Sequence, residues 1–409
     1  MSYFSKISYD DTGAIDAFSR LRTSTPEQLF AVQCQYNRAT IQMEPGNTGT
    51  GVAPAHDANT RMVALSATAG SGVSFMQSYQ YSPYIPGKSQ FIAMTGVLGT
   101  GVAGAVVDYG YGDAANGVFY RQDGASGLQV VLRTSTSGSP AETVAAQASW
   151  NLDKMDGTGI SGKTLEVTKC FILIIDLQFL GMGRVRIGFD IDGVVYYVHQ
   201  FLNTNVLTLP YMQSATLPVS IVLTATTTAA PKTCYFKCAA IQSEGGFLNV
   251  QGYQSVTPEA TVTAGSGADT HILSIRPKTT FNGIVNRELF ELDNINIIVT
   301  GSNPVQWKLV LGATFSGAPT WADVNTSYSA FEYATGGTLS GSGTVTIASG
   351  YVSSSAQSKG AIDAKVNVHY PIALNRAGAN FANGTLTLLV NGIGGTSATR
   401  ASFGFIEVR

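Results

Sequence analysis

One segment, residues 165–201, restricts this chain more than any other. Phe171 to Leu177 is an unbroken apolar run of strand length, which reads as a strand buried on both faces. Gly181-Met182-Gly183 turns the chain, and Arg184-Val185-Arg186-Ile187-Gly188-Phe189 then alternates polar with apolar. One face of that second strand should therefore be wet and the other packed. Asp192-Gly193 follows; it suits a two-residue type I′ turn, whose central residues both need φ > 0. Val194 to Phe201 should pair back. This places a β-hairpin with a one-sided apolar face near the middle of the chain.

The rest of the chain follows the same grammar. Short runs of Val, Ile, Thr, Tyr and Phe alternate with Gly, Asn, Asp, Ser and Pro, and helical periodicity is nearly absent. Strands are predicted at 61–65, 73–79, 90–97, 105–111, 118–121, 128–132, 219–225 and 233–242, beside the hairpin. A second group is predicted at 271–276, 288–300, 305–311, 343–347, 364–370, 385–390 and 401–408, with one helical turn within 322–333. That spacing predicts an all-β fold of two jelly-roll-like β-sandwich domains. A length of 409 residues fits two domains. The domain reading is an N-terminal arm with the first strand (1–45), a large sandwich (46–245), a linker (246–262) and a smaller sandwich (263–409). Within the arm, Phe18, Leu21, Leu29 and Phe30 are large and apolar, and Arg20 and Arg22 carry forked donors. These six residues are candidate docking residues of an extended arm; a first edge strand of the sandwich is the other reading.

Composition narrows the function. Only 12% of residues are charged, about half of the usual ~25%, which suits a chain that buries surface in an assembly. The net charge is −2 with no basic stripe, which argues against nucleic-acid binding. The four cysteines, Cys34, Cys170, Cys234 and Cys238, are too few for a disulfide framework. Cys170 opens the apolar run and reads as a buried thiol, while Cys234 and Cys238 would share one strand face. The N-terminus has no apolar signal core, with Asp10 and Asp11 early, and no run is long enough to span a membrane. Synthesis in the cytoplasm without a signal peptide, and no membrane insertion, are expected.

Motifs for chemistry are weak. Gly99-Thr100-Gly101-Val102-Ala103-Gly104 has dinucleotide-fingerprint spacing but is followed by a predicted strand where a helix is required, so no cofactor is expected. Asp190-Ile191-Asp192-Gly193 lacks the remaining ligands of a calcium loop, with His199 where a Glu is needed. Asn151 to Gly157 holds several oxygen side chains, but a plain Asp-Gly turn explains it, and no metal site is assigned. Among the histidines there is no HExxH, and no GxSxG elbow occurs. Asp176 and Asp190 are a conceivable carboxylate pair for glycoside hydrolysis on neighbouring strands, yet both are ordinary strand-end residues. Tyr79, Tyr81 and Tyr84 could stack on sugar or fill a corner between strands. No catalytic residue is assigned, and a non-enzymatic protein is expected.

Four segments resemble a family of tailed-bacteriophage virion structural proteins. They are Asp16 to Arg22 with Leu29-Phe30; Trp150 to Gly159; Ile174 to Leu177 with Gly181 to Phe189; and Asn303 to Trp307 with Trp321 to Asn325 and Tyr328-Ser329. The resemblance implies a virion location and contacts with other virion proteins, on the capsid as a decoration protein or on the tail or fibres, without assigned active-site residues. The reading is thus a non-enzymatic structural virion protein, expected as a homo-oligomer. Host-glycan recognition and polysaccharide depolymerisation are the alternatives.

Overall fold

The computed structural model describes residues 25–228, 230–245, 252–354, 361–364 and 371–408. The docking candidates Phe18, Arg20, Leu21 and Arg22 lie outside these residues.

The first body contains β1 (Glu27–Gln33), β2 (Met43–Asp57), β3 (Met62–Ser78), β4 (Gln90–Val97), β5 (Ala105–Gly112), β6 (Gly117–Asp123) and β7 (Gly127–Thr134). It continues with β8 (Ala141–Ala146), β9 (Phe171–Leu177), β10 (Val185–Ile191), β11 (Val194–Phe201), β12 (Val219–Thr228) and β13 (Lys232–Ser243). These strands form one connected antiparallel system in the order β11-β10-β9-β4-β13-β3-β12-β5-β6-β7-β8, with β1 added to β13 and β2 to β3. The long strands β3 and β13 change partners along their length. The first half of β3 pairs with β13 and its second half with β12, so the sheet wraps around a single core.

That core runs in sequence from Phe30 to Ile241 and is supplied by alternate residues. In β4, Ile92 and Met94 point inward while Phe91, Ala93 and Thr95 are half-exposed. At its centre Tyr109 and Tyr120 meet Phe171 edge-to-face at 5.1 and 5.7 Å, and Tyr120 meets Phe189 at 4.9 Å. Such pairs add about 0.5–1.5 kcal/mol each beyond area burial.

The second body contains β14 (Tyr253–Val256), β15 (Val262–Ala264), β16 (Thr270–Pro277), β17 (Thr280–Phe281), β18 (Ile284–Val285), β19 (Leu289–Val299) and β20 (Val305–Gly317). β21 (Thr320–Asp323), β22 (Phe331–Thr335), β23 (Thr338–Val352), β24 (Ala361–Ala364), β25 (Leu386–Gly392) and β26 (Ser397–Val408) complete it. Its two main sheets are β14-β26-β19-β24, with β15 on β26, and β21-β22-β16-β25-β20-β23. They enclose a separate core from Val256 to Phe405.

The fold is all-β, as its periodicity predicts, and β4, β9 and β11 begin and end at the predicted residues. Several expectations are corrected. The strands predicted at 61–65 and 73–79 are one strand, β3. The helical turn expected within 322–333 is present as a single turn in the connection between β21 and β22, where the Ser329 N–H donates to the Asn325 carbonyl at 3.3 Å. Cys170 is exposed. Cys234 and Cys238 face opposite ways, because a register shift between Phe236 and Cys238 reverses the alternation; Cys234 is in the core and Cys238 sits against Thr95 Oγ1 at 3.0 Å. Residues 365–370 of the strand predicted at 364–370 are outside the described residues.

The two bodies touch through a defined contact. Tyr79 stacks on Phe381 at 4.6 Å, and the Arg287 guanidinium lies over the Tyr81 ring at 4.2 Å. Arg376 covers the Phe75 ring at 4.2 Å and donates its backbone N–H to Glu44 Oε2 at 2.5 Å. Tyr84 meets Phe179 edge-to-face. All three tyrosines of the 79–84 segment are therefore packed at corners.

Candidate binding groove on the outer face of the first body

The strands β1, β13, β4, β9, β10 and β11 are consecutive neighbours, so their outward residues form rows across the sheet. One row is Gln28, Gln242, Phe91, Asp176, Arg186 and Gln200, each directly opposite the next. The adjacent row is Ala31, Ala240, Ala93, Ile174, Gly188 and Tyr197. A polar row thus runs beside a row of Ala31, Ala240, Ala93 and Gly188 that the buried Ile174 interrupts. With strands ~4.8 Å apart, the six-strand rows span roughly 24 Å.

Asp176, Arg186 and Tyr197 lie at the β9–β11 end of these rows. Arg186 Nη2 forms a short ion pair with Asp176 Oδ2, and Tyr197 Oη donates to the same oxygen at 3.2 Å. The guanidinium lies over the Tyr197 ring, 4.1 Å from its centroid. The three side chains hold one another in one geometry. Tyr197 reaches this face through a bulge: the register slips between Ile187 and Gly188, which places Tyr197 across from glycine. A larger residue at 188 would meet the β11 backbone, since a Cβ there would lie 2.5 Å from the Tyr196 carbonyl oxygen. Burial, followed by the nearby Asp176 charge, pushes the Tyr197 hydroxyl up to about 12, so it stays a hydrogen-bond donor at neutral pH.

Two recesses open on this cluster and share Arg184, Arg186 and Tyr197. One has a volume of about 280 Å³ and adds Ser89, Phe91, Gln178 and Glu244; the other, about 660 Å³, adds Leu152, Ile160, Tyr196 and Gln200. The wall of the larger recess is the 151–161 loop. Asn151 fixes it by bonding β11 twice: Nδ2 donates to the Gln200 carbonyl at 3.0 Å and Oδ1 accepts the Gln200 N–H at 2.9 Å. Asp153 is spent inside the loop, accepting the N–H groups of Met155 and Ser161 at 2.8 and 2.7 Å. Those two bonds explain the Asp-rich sequence without a cation. Among the described residues no cluster of three or more His, Cys, Asp or Glu is placed to hold a metal.

Other sequence candidates are not brought together. Asp190 faces Ile172 while Asp176 faces Arg186, so the two aspartates are separated by four residues along the sheet, roughly 13 Å. That exceeds the ~5–9.5 Å of a glycosidase pair, and Asp190 accepts the Gly193 N–H of the hairpin turn at 2.9 Å. The 99–104 loop presents carbonyls rather than N–H groups to its interior. Lys232 Nζ is held at 2.7 Å by the carbonyl oxygens of Leu98 and Thr100 and by Gln122 Oε1. The glycines there clothe a buried lysine, whereas a phosphate cradle needs converging donors. Burial lowers Lys232 to about 8. Of the docking candidates, Phe30 lies in the core and Leu29 packs against it on β1. A further recess of about 620 Å³ lies between the bodies, where Glu291 and Asp293 are the charged lining groups among the described residues.

No protein-family model matches the chain, and no curated protein matches it by sequence. Solved structures resemble parts of it. A carbohydrate esterase from the Shiga toxin-encoding bacteriophage phi24B has 10% identity and a TM-score of 0.32, covering 54% of this chain and 100% of its own. The CBM2 module of the evolved Dit of Lactobacillus casei BL23 phage J-1 has 7% identity and a TM-score of 0.33, covering 56% and 100%. A Bacillus licheniformis β-glucanase has 13% identity and a TM-score of 0.31, covering 54% and 99%. At these values the likenesses carry no argument about what this chain does.

The groove was only partly visible in the sequence. Asp176 and Arg186 stand out as polar interruptions of apolar strands, but their pairing depends on register. Tyr197 gives no signal of its own, because the bulge that turns it outward is set by Gly188 and the strand opposite. Among the described residues no helix is long and apolar enough to cross a membrane.

Proposed function

We propose that this chain is a non-enzymatic structural protein of a tailed-bacteriophage particle, working through contacts with other virion proteins. One observation carries the reading: the described segments that resemble the virion family are built as scaffolding. Trp150 is buried with Nε1 on the Ala145 carbonyl at 3.1 Å, and its neighbour Asn151 clamps β11. Ile174 to Phe189 supplies β9 and β10. Asn303 Nδ2 ties the β19–β20 turn to the Thr396 carbonyl at 2.9 Å, and Trp307 is buried beside it in the second core. Trp321 lies under the Arg276 guanidinium at 3.7 Å, and Asn325 Oδ1 caps the next turn through Ser327 and Tyr328. Trp150, Asn151, Asn303 and Asn325 thus spend their polar groups on backbone, while Asp176 and Arg186 pair with each other.

The test is the composition of purified particles. Mass spectrometry should find the chain in them, and cryo-electron microscopy should place it. Hundreds of copies on the head mean decoration, whereas a handful at one vertex mean tail or fibre. Particles lacking the chain overturn the proposal. Clearing of host polysaccharide by the purified protein would overturn its non-enzymatic character.

A second reading, recognition of host-surface glycan by the same particle component, is favoured by the groove. It combines half-exposed aromatic side chains with carboxylate, guanidinium and amide groups on a rigid sheet, which is how orientation and stacking are supplied to a sugar.

A further inference from the structure

We propose that one corner of the first body, built from the 178–183 turn and the 202–210 loop, is the surface through which two copies of this chain associate about a two-fold axis. The inference goes beyond the reading above, since it holds whatever larger assembly the chain occupies. Six large apolar residues lie exposed at this corner: Leu180, Met182, Leu202, Val206, Leu207 and Leu209, each between 42 and 69% exposed. They are six of the nineteen large apolar residues exposed among the described residues, so about a third of that surface comes from two short loops. Single exposed apolar residues are ordinary, whereas a contiguous patch marks an interaction site.

The two loops form one surface because they are bonded to each other. Thr204 Oγ1 donates to the Met182 carbonyl oxygen at 2.8 Å, Asn203 Nδ2 to the Gly183 carbonyl oxygen at 2.8 Å, and the Tyr211 N–H to the Gly181 carbonyl oxygen at 3.0 Å. Beneath them Phe179 meets Tyr84 and Tyr211 edge-to-face at 5.2 and 5.4 Å, and Tyr84 Oη accepts the Leu180 N–H at 3.1 Å. The N–H groups of Val206 and Leu207 both donate to the Asn203 carbonyl oxygen, at 3.2 and 3.1 Å. Polar groups thus hold the loops down while the apolar side chains face solvent. Ordering of mobile side chains and loops is a large cost of association, and here much of the backbone part is met during folding.

Charge and size point to a second copy as the partner. Lys, Arg, Asp and Glu are absent from residues 177–183 and from residues 201–231. The patch therefore carries no charge to repel its own copy and none to select an oppositely charged partner. Laid on itself by a two-fold rotation it is self-complementary, as an isologous interface requires. The six residues leave on the order of 600 Å² uncovered, at the upper end for a patch on a monomer and near the ~800 Å² per partner of a standard interface. Asn205 and Thr208 are exposed among them and supply polar groups of the kind found at an interface rim. Strand pairing is not the route. Beside the patch the outer edge of β11 is taken by the N–H groups of Leu152 and Asp153, on the Val198 carbonyl oxygen at 3.1 and 3.2 Å, and by Asn151 on Gln200. Contact between copies then runs through side chains.

The test is sedimentation velocity of the full chain between about 1 and 100 μM, the weak end of affinity for an interface of this size. The wild-type chain should be dimeric at the upper end of that range. Val206→Lys/Leu209→Lys and Val206→Asp/Leu209→Asp should each weaken association at least ten-fold. An equal mixture of the two variants should associate again, because only a patch that meets itself brings the lysines of one copy to the aspartates of the other; misfolded variants would not recover in this way. Ile284→Lys, an exposed position in the second body, should leave the dimer unchanged. A wild-type chain that stays monomeric throughout, including one that floats with phosphatidylcholine vesicles instead, would overturn the proposal. So would a dimer that persists in the lysine variant, or a mixture of the two variants that stays monomeric.

Discussion

His271 is a buried ring whose charge state is set by its surroundings. It is 3% exposed on β16, with Nδ1 on the Gly336 carbonyl oxygen and Nε2 2.8 Å from the Ser274 hydroxyl. A carbonyl only accepts, so Nδ1 carries the proton, and Ser274 donates to Nε2 in the neutral ring. Burial holds the His271 pKa below its ordinary value, with the Gly336 carbonyl opposing, and burial does the same to His199. The sign follows directly. In the folded chain both rings resist protonation, while in the unfolded chain they charge near pH 6.5. Their contribution to stability is complete above about pH 6.5 and is lost as the pH falls below it, by at most ~1.4 kcal/mol per group and pH unit. The carboxylate Glu142 titrates in another window: burial opposes ionisation, but hydrogen bonds from Arg121 and Arg133 outweigh it and lower Glu142 to about 2. Its contribution is present above the ordinary Glu value and lost only in stronger acid. The melting temperature should therefore fall between pH 7 and pH 5, and a His199→Gln/His271→Gln double variant should melt lower at pH 7 but with a flatter slope. A wild-type melting temperature that is level across this range, or a variant that falls as steeply, would refute the assignment.

At the scale of strands and turns, the β10–β11 hairpin shows what local sequence can specify. Asp192 and Gly193 take φ of 57° and 82°, as a type I′ turn requires. A Cβ at 193 meets nothing within 4 Å, so substitution there tests backbone conformation alone. Gly193→Val should cost about 1–2 kcal/mol by denaturant titration, with the strand register preserved in amide exchange; an unchanged midpoint would mean the turn relaxes freely. By contrast, β2 was not legible. Its sequence carries Pro45, Gly46, Gly49, Gly51 and Pro54, which reads as loop because prolines and glycines punctuate most strands. It is tolerated at a sheet edge, where one side needs no ladder, and the glycines answer a crowding that only the paired structure creates. At Gly51 a Cβ would lie 1.9 Å from the Val73 carbonyl oxygen. Strand β8, with Glu142 and Val144 both outward, likewise lacks an apolar alternation of its own and is defined by its pairing with β7. The groove shares this limit: each of its residues is ordinary in sequence, and only register and the bulge opposite Gly188 bring them together.

Across the whole molecule, the two cores do not share residues, so what couples them is the contact between Tyr79, Tyr81, Phe75 and Glu44 on one side and Phe381, Arg287 and Arg376 on the other. That contact is aromatic and cationic rather than broadly apolar. Arg287 is further fixed by donating to the carbonyl oxygens of Asn375 and Arg376 at 2.9 and 3.1 Å, which joins the 371–384 segment to the same junction. Cation–π contacts contribute about 0.5–2 kcal/mol each, and a stacked aromatic pair adds a similar amount. A few such contacts match the scale at which two domains begin to unfold together. Removing Arg287 takes away one cation–π contact and two backbone bonds at once; removing the Phe381 ring takes away the stacking partner of Tyr79. In differential scanning calorimetry the wild-type chain should then unfold in a single transition, and Arg287→Ala/Phe381→Ala should split it into two while leaving the core of the first body intact by near-ultraviolet circular dichroism. Two resolved transitions in the wild type, or one undivided transition in the double variant, would mean that coupling between the bodies comes from elsewhere.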